Sequence, residues 1–244
     1  MKNVVFILDI KLDNTKILQH EFSIKSWKSW CEKNNYELFV LNDLLFPIEK
    51  MGISWQKYYL FDIFNQNNVD FNQVLMISAN TIIHPNCPNF FDMTENKLCS
   101  VRAESSFDFI LRSIENYSKY IFDGYKMKWW NYIDSEFLLF NKSHESFLKK
   151  IVKFYWTNKE KLLDTEKLNC GTDQTPLNFI IDKENIDIKF FTYQYNMIDM
   201  IRKEILREDM IFTKCGWIYN FNSIPSDQAK YYWMEQTYKY LYCM

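Results

Sequence analysis

The stretch Gln73-Val74-Leu75-Met76-Ile77-Ser78-Ala79-Asn80-Thr81-Ile82-Ile83-His84-Pro85 constrains the fold of this chain more than any other. Its apolar run Val74 to Ile77 meets a short polar break, and a second apolar step, Ile82-Ile83, ends at a proline. A run of that kind predicts a strand buried on both faces, with small polar residues delivered to its carboxyl end. In open α/β sheets the carboxyl ends of the strands are where ligands bind. Ser78, Ala79 and Asn80 are therefore substrate-binding candidates by position.

The remaining elements alternate in the way an α/β domain requires. Val4 to Ile10, closed by Asp9, reads as a first buried parallel strand. Phe22, Ile24, Trp27, Trp30 and Cys31 recur at helical spacing before the stop Asn34-Asn35. Glu37 to Leu41 is a second strand, which completes a βαβ unit. Ser54 is placed to cap a helix running through Trp55, Tyr58, Phe61 and Phe64 towards Asn65. Leu98 to Val101 and Ile186 to Phe191 read as further strands, and helices are expected from His144 to Trp156 and over Asp227 to Met234. Thr172 is a candidate N-cap for a helix whose first turn holds Asp173, Gln174 and Pro176. At 244 residues the chain suits one domain spanning 1–244.

Charge and cysteine usage exclude several classes. The 29 basic and 31 acidic residues are dispersed and nearly balanced, which gives no electrostatic case for nucleic acid. No apolar run is long enough for a membrane span, and the amino-terminal apolar run turns acidic too soon for a signal peptide, so a cytoplasmic protein is expected. Cys31, Cys87, Cys99, Cys170, Cys215 and Cys243 include no CxxC pair, which argues for reduced thiols over a zinc ribbon or a disulfide scaffold. There is no P-loop and no G-x-G-x-x-G.

The central stretch, followed by Asn89-Phe90-Phe91-Asp92, resembles the hydrophobic-x-Asp-x-Asp-Thr strand and Asn/Asp-Phe-Phe-Asp segment of nucleotide-sugar glycosyltransferases of the GT-A fold, family 8 in particular. Ser78 and Asn80 stand where the family has its two aspartates. Tyr132 to Lys142 resembles the strand that lines the donor sugar, with Asp134 in place of an Asn and Glu136 in place of a Gly. Asp173-Gln174-Thr175-Pro176-Leu177-Asn178 is similar to the Asp-Gln-x-x-hydrophobic-Asn signature, and Lys214 to Ser223 resembles a His-Phe-x-Gly block in which Asn220 takes the place of the His.

The resemblance, spread in order over nearly the whole chain, implies a GT-A-like, Rossmann-related α/β domain with a mostly parallel sheet. It implies a nucleotide-sugar donor such as a UDP-sugar, and a glycan or other hydroxyl acceptor. Asp173 and Asp134 become the catalytic candidates. Asp9, Lys11, Lys57, Ser78, Ala79, Asn80, Gln174 and Asn220 become the substrate-binding ones. The family uses Mn²⁺ or Mg²⁺, but the three ligand positions are neutral here, so no metal is expected and Lys57, Lys214 or Lys230 is left to neutralise the diphosphate. In such enzymes aromatic loops wall the acceptor, which is one reading of Trp129-Trp130; a core anchor is the other. The rival function is a catalytically silent relative that binds a sugar nucleotide or glycan, or serves as a structural partner.

Overall fold

The computed structural model describes residues 1–10, 19–103, 106–168, 170–198, 200 and 209–243. A six-stranded sheet runs through it in the order β2-β1-β3-β6-β5-β7, formed by β1 (Lys2–Leu8), β2 (Glu37–Leu41), β3 (Phe71–Ser78), β5 (Leu98–Arg102), β6 (Ile133–Asn141) and β7 (Ile188–Phe191). Only β6 runs against the others, pairing antiparallel with β3 and β5, while β1–β2, β1–β3 and β5–β7 are parallel. A second, two-stranded sheet joins β4 (Thr81–Ile83) to β8 (Ile218–Asn220).

The apolar runs alternate strictly between two cores. Val4, Phe6, Val74, Met76, Leu138 and Phe140 pack on one face of the sheet. Val5, Ile7, Leu75, Ile77, Phe137 and Leu139 pack on the other. Successive strand residues point to opposite faces, so a run apolar at every position is what a sheet covered on both sides demands. The first face takes α2 (Ile53–Gln56), α3 (Leu60–Gln66), α5 (Glu145–Glu166) and α6 (Gln174–Glu184), through residues such as Trp55, Phe64, Ile151 and Phe179. The second takes α1 (Gln19–Asn34), whose Trp30 stacks on Phe90 with ring centroids 4.9 Å apart. A third cluster joins the small sheet to α7 (Asp227–Tyr242) through Ile82, Tyr219 and Met234. α4 (Phe107–Tyr120) completes the set and is capped by Ser106, whose hydroxyl accepts from the Phe109 amide.

With four glycines in the chain, asparagine takes over half of the left-handed backbone positions among the described residues. Asn35, Asn68, Asn96 and Asn185 all have φ between 50° and 60°, a region asparagine tolerates better than other side chains. Asn185 is the C-cap of α6, and Asn35 follows the end of α1.

Several local expectations are corrected. The helix expected from a Ser54 cap begins two residues earlier, with Gly52 as N-cap and no side-chain cap bond, and it is broken by a 3-10 turn at Lys57–Tyr59. α5 and α7 run well beyond the expected ends because their apolar periodicity continues past Trp156 and Met234. Trp129 and Trp130 are both exposed, so neither anchors the core; Trp129 meets Phe107 edge to face at 5.0 Å. No described helix is long and apolar enough to cross a membrane.

Candidate active site at the head of the central strands

Because β6 is antiparallel, its amino-terminal residues lie beside the carboxyl end of β3. The ladder between them ends at the pair Ile77–Phe137, and the next residues outward are Ser78 and Glu136. At this head of the sheet a cleft of about 380 Å³ is walled by Asp134, Ser135 and Glu136 of β6, the segment Cys170 to Gln174 leading into α6, Phe109 of α4, and Asn220 and Asn222 around β8.

One corner of the cleft is an ion pair. Lys57 Nζ lies 2.7 Å from Asp173 Oδ2, with both side chains almost wholly buried. The same ammonium donates to the Ser135 carbonyl at 3.0 Å and to Ser135 Oγ at 3.2 Å. Its three protons are thus accepted inside the protein. Asp173 also accepts from Tyr58 OH at 2.8 Å and Thr172 Oγ1 at 3.0 Å. Burial opposes its ionisation, but the Lys57 charge and these three donors outweigh that cost and hold the carboxyl below its ordinary value. Asp173, not Thr172, is the N-cap of α6, yet its side chain makes no capping bond. The ion pair has claimed it. Gln174 accepts the Ser135 amide through Oε1 at 3.1 Å and so ties the start of α6 to the start of β6.

The opposite wall is an amide network around Glu136. Asn220 Nδ2 donates to Glu136 Oε2 at 2.9 Å, and Asn222 Nδ2 donates to Oε1 at 2.5 Å. Asn220 also donates to Asn196 Oδ1 at 3.1 Å, and its own Oδ1 accepts the Asn222 amide at 2.9 Å. Asp134 Oδ1 accepts the Glu136 amide at 2.6 Å, and Asn196 adds a second hydrogen bond to Asp134. Burial raises the Asp134 carboxyl, and the neighbouring Asp173 adds to this. Burial and the Asp134 charge push Glu136 up to about 7, against the opposing pull of Asn220 and Lys57.

The expected site residues divide into three groups. Asp134, Asp173, Gln174 and Asn220 line the cleft, with Lys57 directly behind Asp173. Ser78, Ala79 and Asn80 are not in its lining: Asn80 reaches it through Asn222, to whose Oδ1 it donates at 3.3 Å, and its backbone amide donates to Ser78 Oγ. Ala79 is buried in the second core. Asp9 sits beyond the carboxyl end of β1 and bonds His20 Nδ1 at 2.6 Å. Lys11 lies outside the described residues. Lys214 lines a separate cavity with Cys215 and Trp217, and Lys230 is buried near Asp227, so neither faces this cleft.

The three residues at the expected metal positions are neutral, and Asn80 Oδ1 is buried without a hydrogen-bond partner among the described residues. Asn220 spends its amide nitrogen and oxygen within the protein, Ser78 accepts a backbone amide, and both are neutral. Among the described residues no group of three His, Cys, Asp or Glu side chains converges to hold a metal. Tyr58, Ser135, Asn196 and Asn222 were not expected in the site. Asn222 lies in the turn that follows β8, held by its backbone amide to Asn220 Oδ1.

No family model matches the chain, and no curated protein matches it. Among solved structures it is similar to the crystal structure of a glycosyltransferase involved in the glycosylation of the major capsid of PBCV-1, with a TM-score of 0.65 and 9% sequence identity, over 95% of this chain and 98% of that one. The α/β fold, with its mostly parallel sheet between helices, is thus shared with a solved glycosyltransferase.

Proposed function

We propose that this chain is a one-domain glycosyltransferase that moves a sugar from a nucleotide-sugar donor, of the UDP class, to an acceptor hydroxyl without a metal ion. The observation that carries the proposal is the meeting of Asp134, Asp173 and Gln174, from two distant segments, in one polar cleft at the head of the parallel strands. That is where ligands bind in open α/β sheets, and the fold is one that a solved glycosyltransferase also has. Carboxylate and amide groups suit a sugar, which offers hydroxyls as donors and acceptors. Asp173 accepts from sugar hydroxyls at the floor, and Lys57, with Ser135, holds it in place. The test is a thermal-shift series with UDP and UDP-sugars in EDTA. Binding stabilises the folded state by RT ln(1 + [L]/Kd), about 2.7 kcal/mol at a hundredfold excess over Kd. A rise in Tm that is unchanged by EDTA supports the reading, and a rise that appears only with Mn²⁺ removes its metal-independent part.

One observation favours a second reading, a protein that binds a sugar or glycan without turning it over. The described cleft carries three carboxylates, and the lysine behind it has its protons accepted by the protein, which disfavours a diphosphate. Stabilisation by free oligosaccharide but by no nucleotide sugar selects this reading.

A further inference from the structure

Of the three carboxylates in the cleft, two are buried and tied to neighbouring side chains or backbone. Asp173 is held by Lys57, Tyr58 and Thr172. Asp134 is 5% exposed and accepts the Glu136 amide and a hydrogen bond from Asn196. Glu136 differs from both in exposure. Each of its oxygens accepts a single side-chain amide, from Asn220 and from Asn222, and a carboxylate oxygen has room for a second donor. It lines the cleft and is less buried than Asp134 or Asp173. The two amides fix its direction without neutralising it, and no cation pairs with it among the described residues.

We infer that Glu136 is the catalytic base of the proposed transfer, the group that takes the proton of the acceptor hydroxyl. This rests on the glycosyl-transfer reading above. In the step, the acceptor O–H donates to the uncommitted side of the Glu136 carboxylate, and its proton passes to that oxygen. The acceptor oxygen uses the freed electron pair to form the bond to the anomeric carbon of the donor. The bond from that carbon to the diphosphate oxygen breaks, and its electron pair leaves with the diphosphate. The carboxylate ends as a neutral acid, and the negative charge has moved to the leaving group. A carboxyl whose proton affinity is raised by burial and by Asp134 accepts this proton more readily than an ordinary solvent-exposed glutamate does. Asn220 and Asn222 act as positioning residues, since they touch the carboxylate and keep it aimed at the cleft.

The test compares the wild type with Glu136→Gln, Glu136→Asp and Glu136→Ala. It measures UDP affinity by calorimetry and UDP release from UDP-glucose, UDP-galactose and UDP-N-acetylglucosamine, with water as acceptor. Glu136→Gln keeps the side-chain size, and Glu136→Ala guards against a misdirected amide. UDP affinity is expected to stay within about threefold of wild type in both, while kcat falls by about 100- to 10,000-fold, the usual contribution of general-base catalysis. Added azide needs no deprotonation, so it is expected to restore donor consumption by Glu136→Ala and to leave Glu136→Gln slow, where the amide fills the space. A Glu136→Gln enzyme with wild-type kcat overturns the inference and leaves the glycosyl-transfer reading standing. So does a folded, UDP-binding Glu136→Ala enzyme that azide does not restore, because the residue then only positions other groups. A wild type that neither binds nor consumes any of the three donors overturns both.

Discussion

Lys57 Nζ and Asp173 Oδ2 stand 2.7 Å apart, their side chains 11% and 5% exposed, and they join the 3-10 turn before α3 to the start of α6. The pair fixes the floor of the cleft and leaves Asp173 turned away from its capping role. It also makes the folded state depend on two residues that neither local pattern nor helix propensity requires.

Removing one partner of this pair therefore costs more than removing both. Lys57→Met leaves a buried, unpaired carboxylate and is expected to destabilise the protein by about 3–5 kcal/mol, as for broken buried ion pairs generally. Lys57→Met combined with Asp173→Leu is expected to cost less than either single change, because no charge is left stranded. Urea denaturation of the three variants checks this, and a Lys57→Met cost below about 1 kcal/mol would contradict the burial of the pair.

The two flanks of the pH–stability profile belong to different carboxyls. Asp173 has a lowered folded value, so its stabilisation is present above the ordinary 3.8 and is lost as pH falls through the folded value. Glu136 works in the opposite sense. Its folded value of about 7 lies above the ordinary 4.5, so the folded state holds the proton that the unfolded chain has released, and stability falls as pH rises from 4.5 towards 7. Burial raises Asp134 and Glu166 as well, so Glu136→Gln is expected to lessen the fall in stability between pH 5 and 8 without abolishing it, and to leave the acid limb in place. Tm measured across that range reads both effects.

Introducing charge at the neutral positions is a direct test of whether Ser78, Asn80 and Asn220 share a site. Converting Ser78→Asp, Asn80→Asp and Asn220→His together supplies two carboxylates and an imidazole, a donor set that suits Mn²⁺. The triple variant is expected to gain Mn²⁺-dependent UDP binding in calorimetry, whereas each single change does little because the ligands act together. A folded triple variant whose UDP affinity ignores Mn²⁺ shows that the three positions do not share a site.

Gly171 lies in the lining of the cleft for a steric reason. A Cβ added there would come within 2.5 Å of Thr175 Oγ1, which is bonded to Tyr132 OH at 2.7 Å. Gly171→Ala is expected to displace Thr175, lower stability by about 1–3 kcal/mol as overpacking does, and weaken ligand binding in the same cleft. Thermal melts with and without UDP separate the two losses.

Much of the fold was legible in the chain itself. The uninterrupted apolar runs at Val4 to Ile7, Val74 to Ile77 and Phe137 to Phe140 demanded strands covered on both faces, and the helical spacing around Trp27 and Trp30 supplied one of the covers. The candidate site was legible only as a set of positions. Asp134, Asp173, Gln174 and Asn220 do meet in one cleft, but their partners could not be read. Thr172 is the expected cap of α6, but Asp173 holds that position, and its side chain pairs with Lys57, distant in sequence, where no local pattern shows it.

What the sequence determined is the type of each element, because burial of alternate or successive side chains is a local property of the pattern. Tertiary structure alone decided that β6 enters the sheet against its neighbours, between β3 and β5. That reversal carries Asp134 and Glu136 to the carboxyl end of β3. It is why Glu136 meets Asn220, 84 residues away, as the pairing of Thr81 with Asn220 across the small sheet brings β8 to the same place. Hydrogen-bond partners so far apart are fixed by register and chain direction, which a hydrophobic pattern of period two leaves open until the strands are paired.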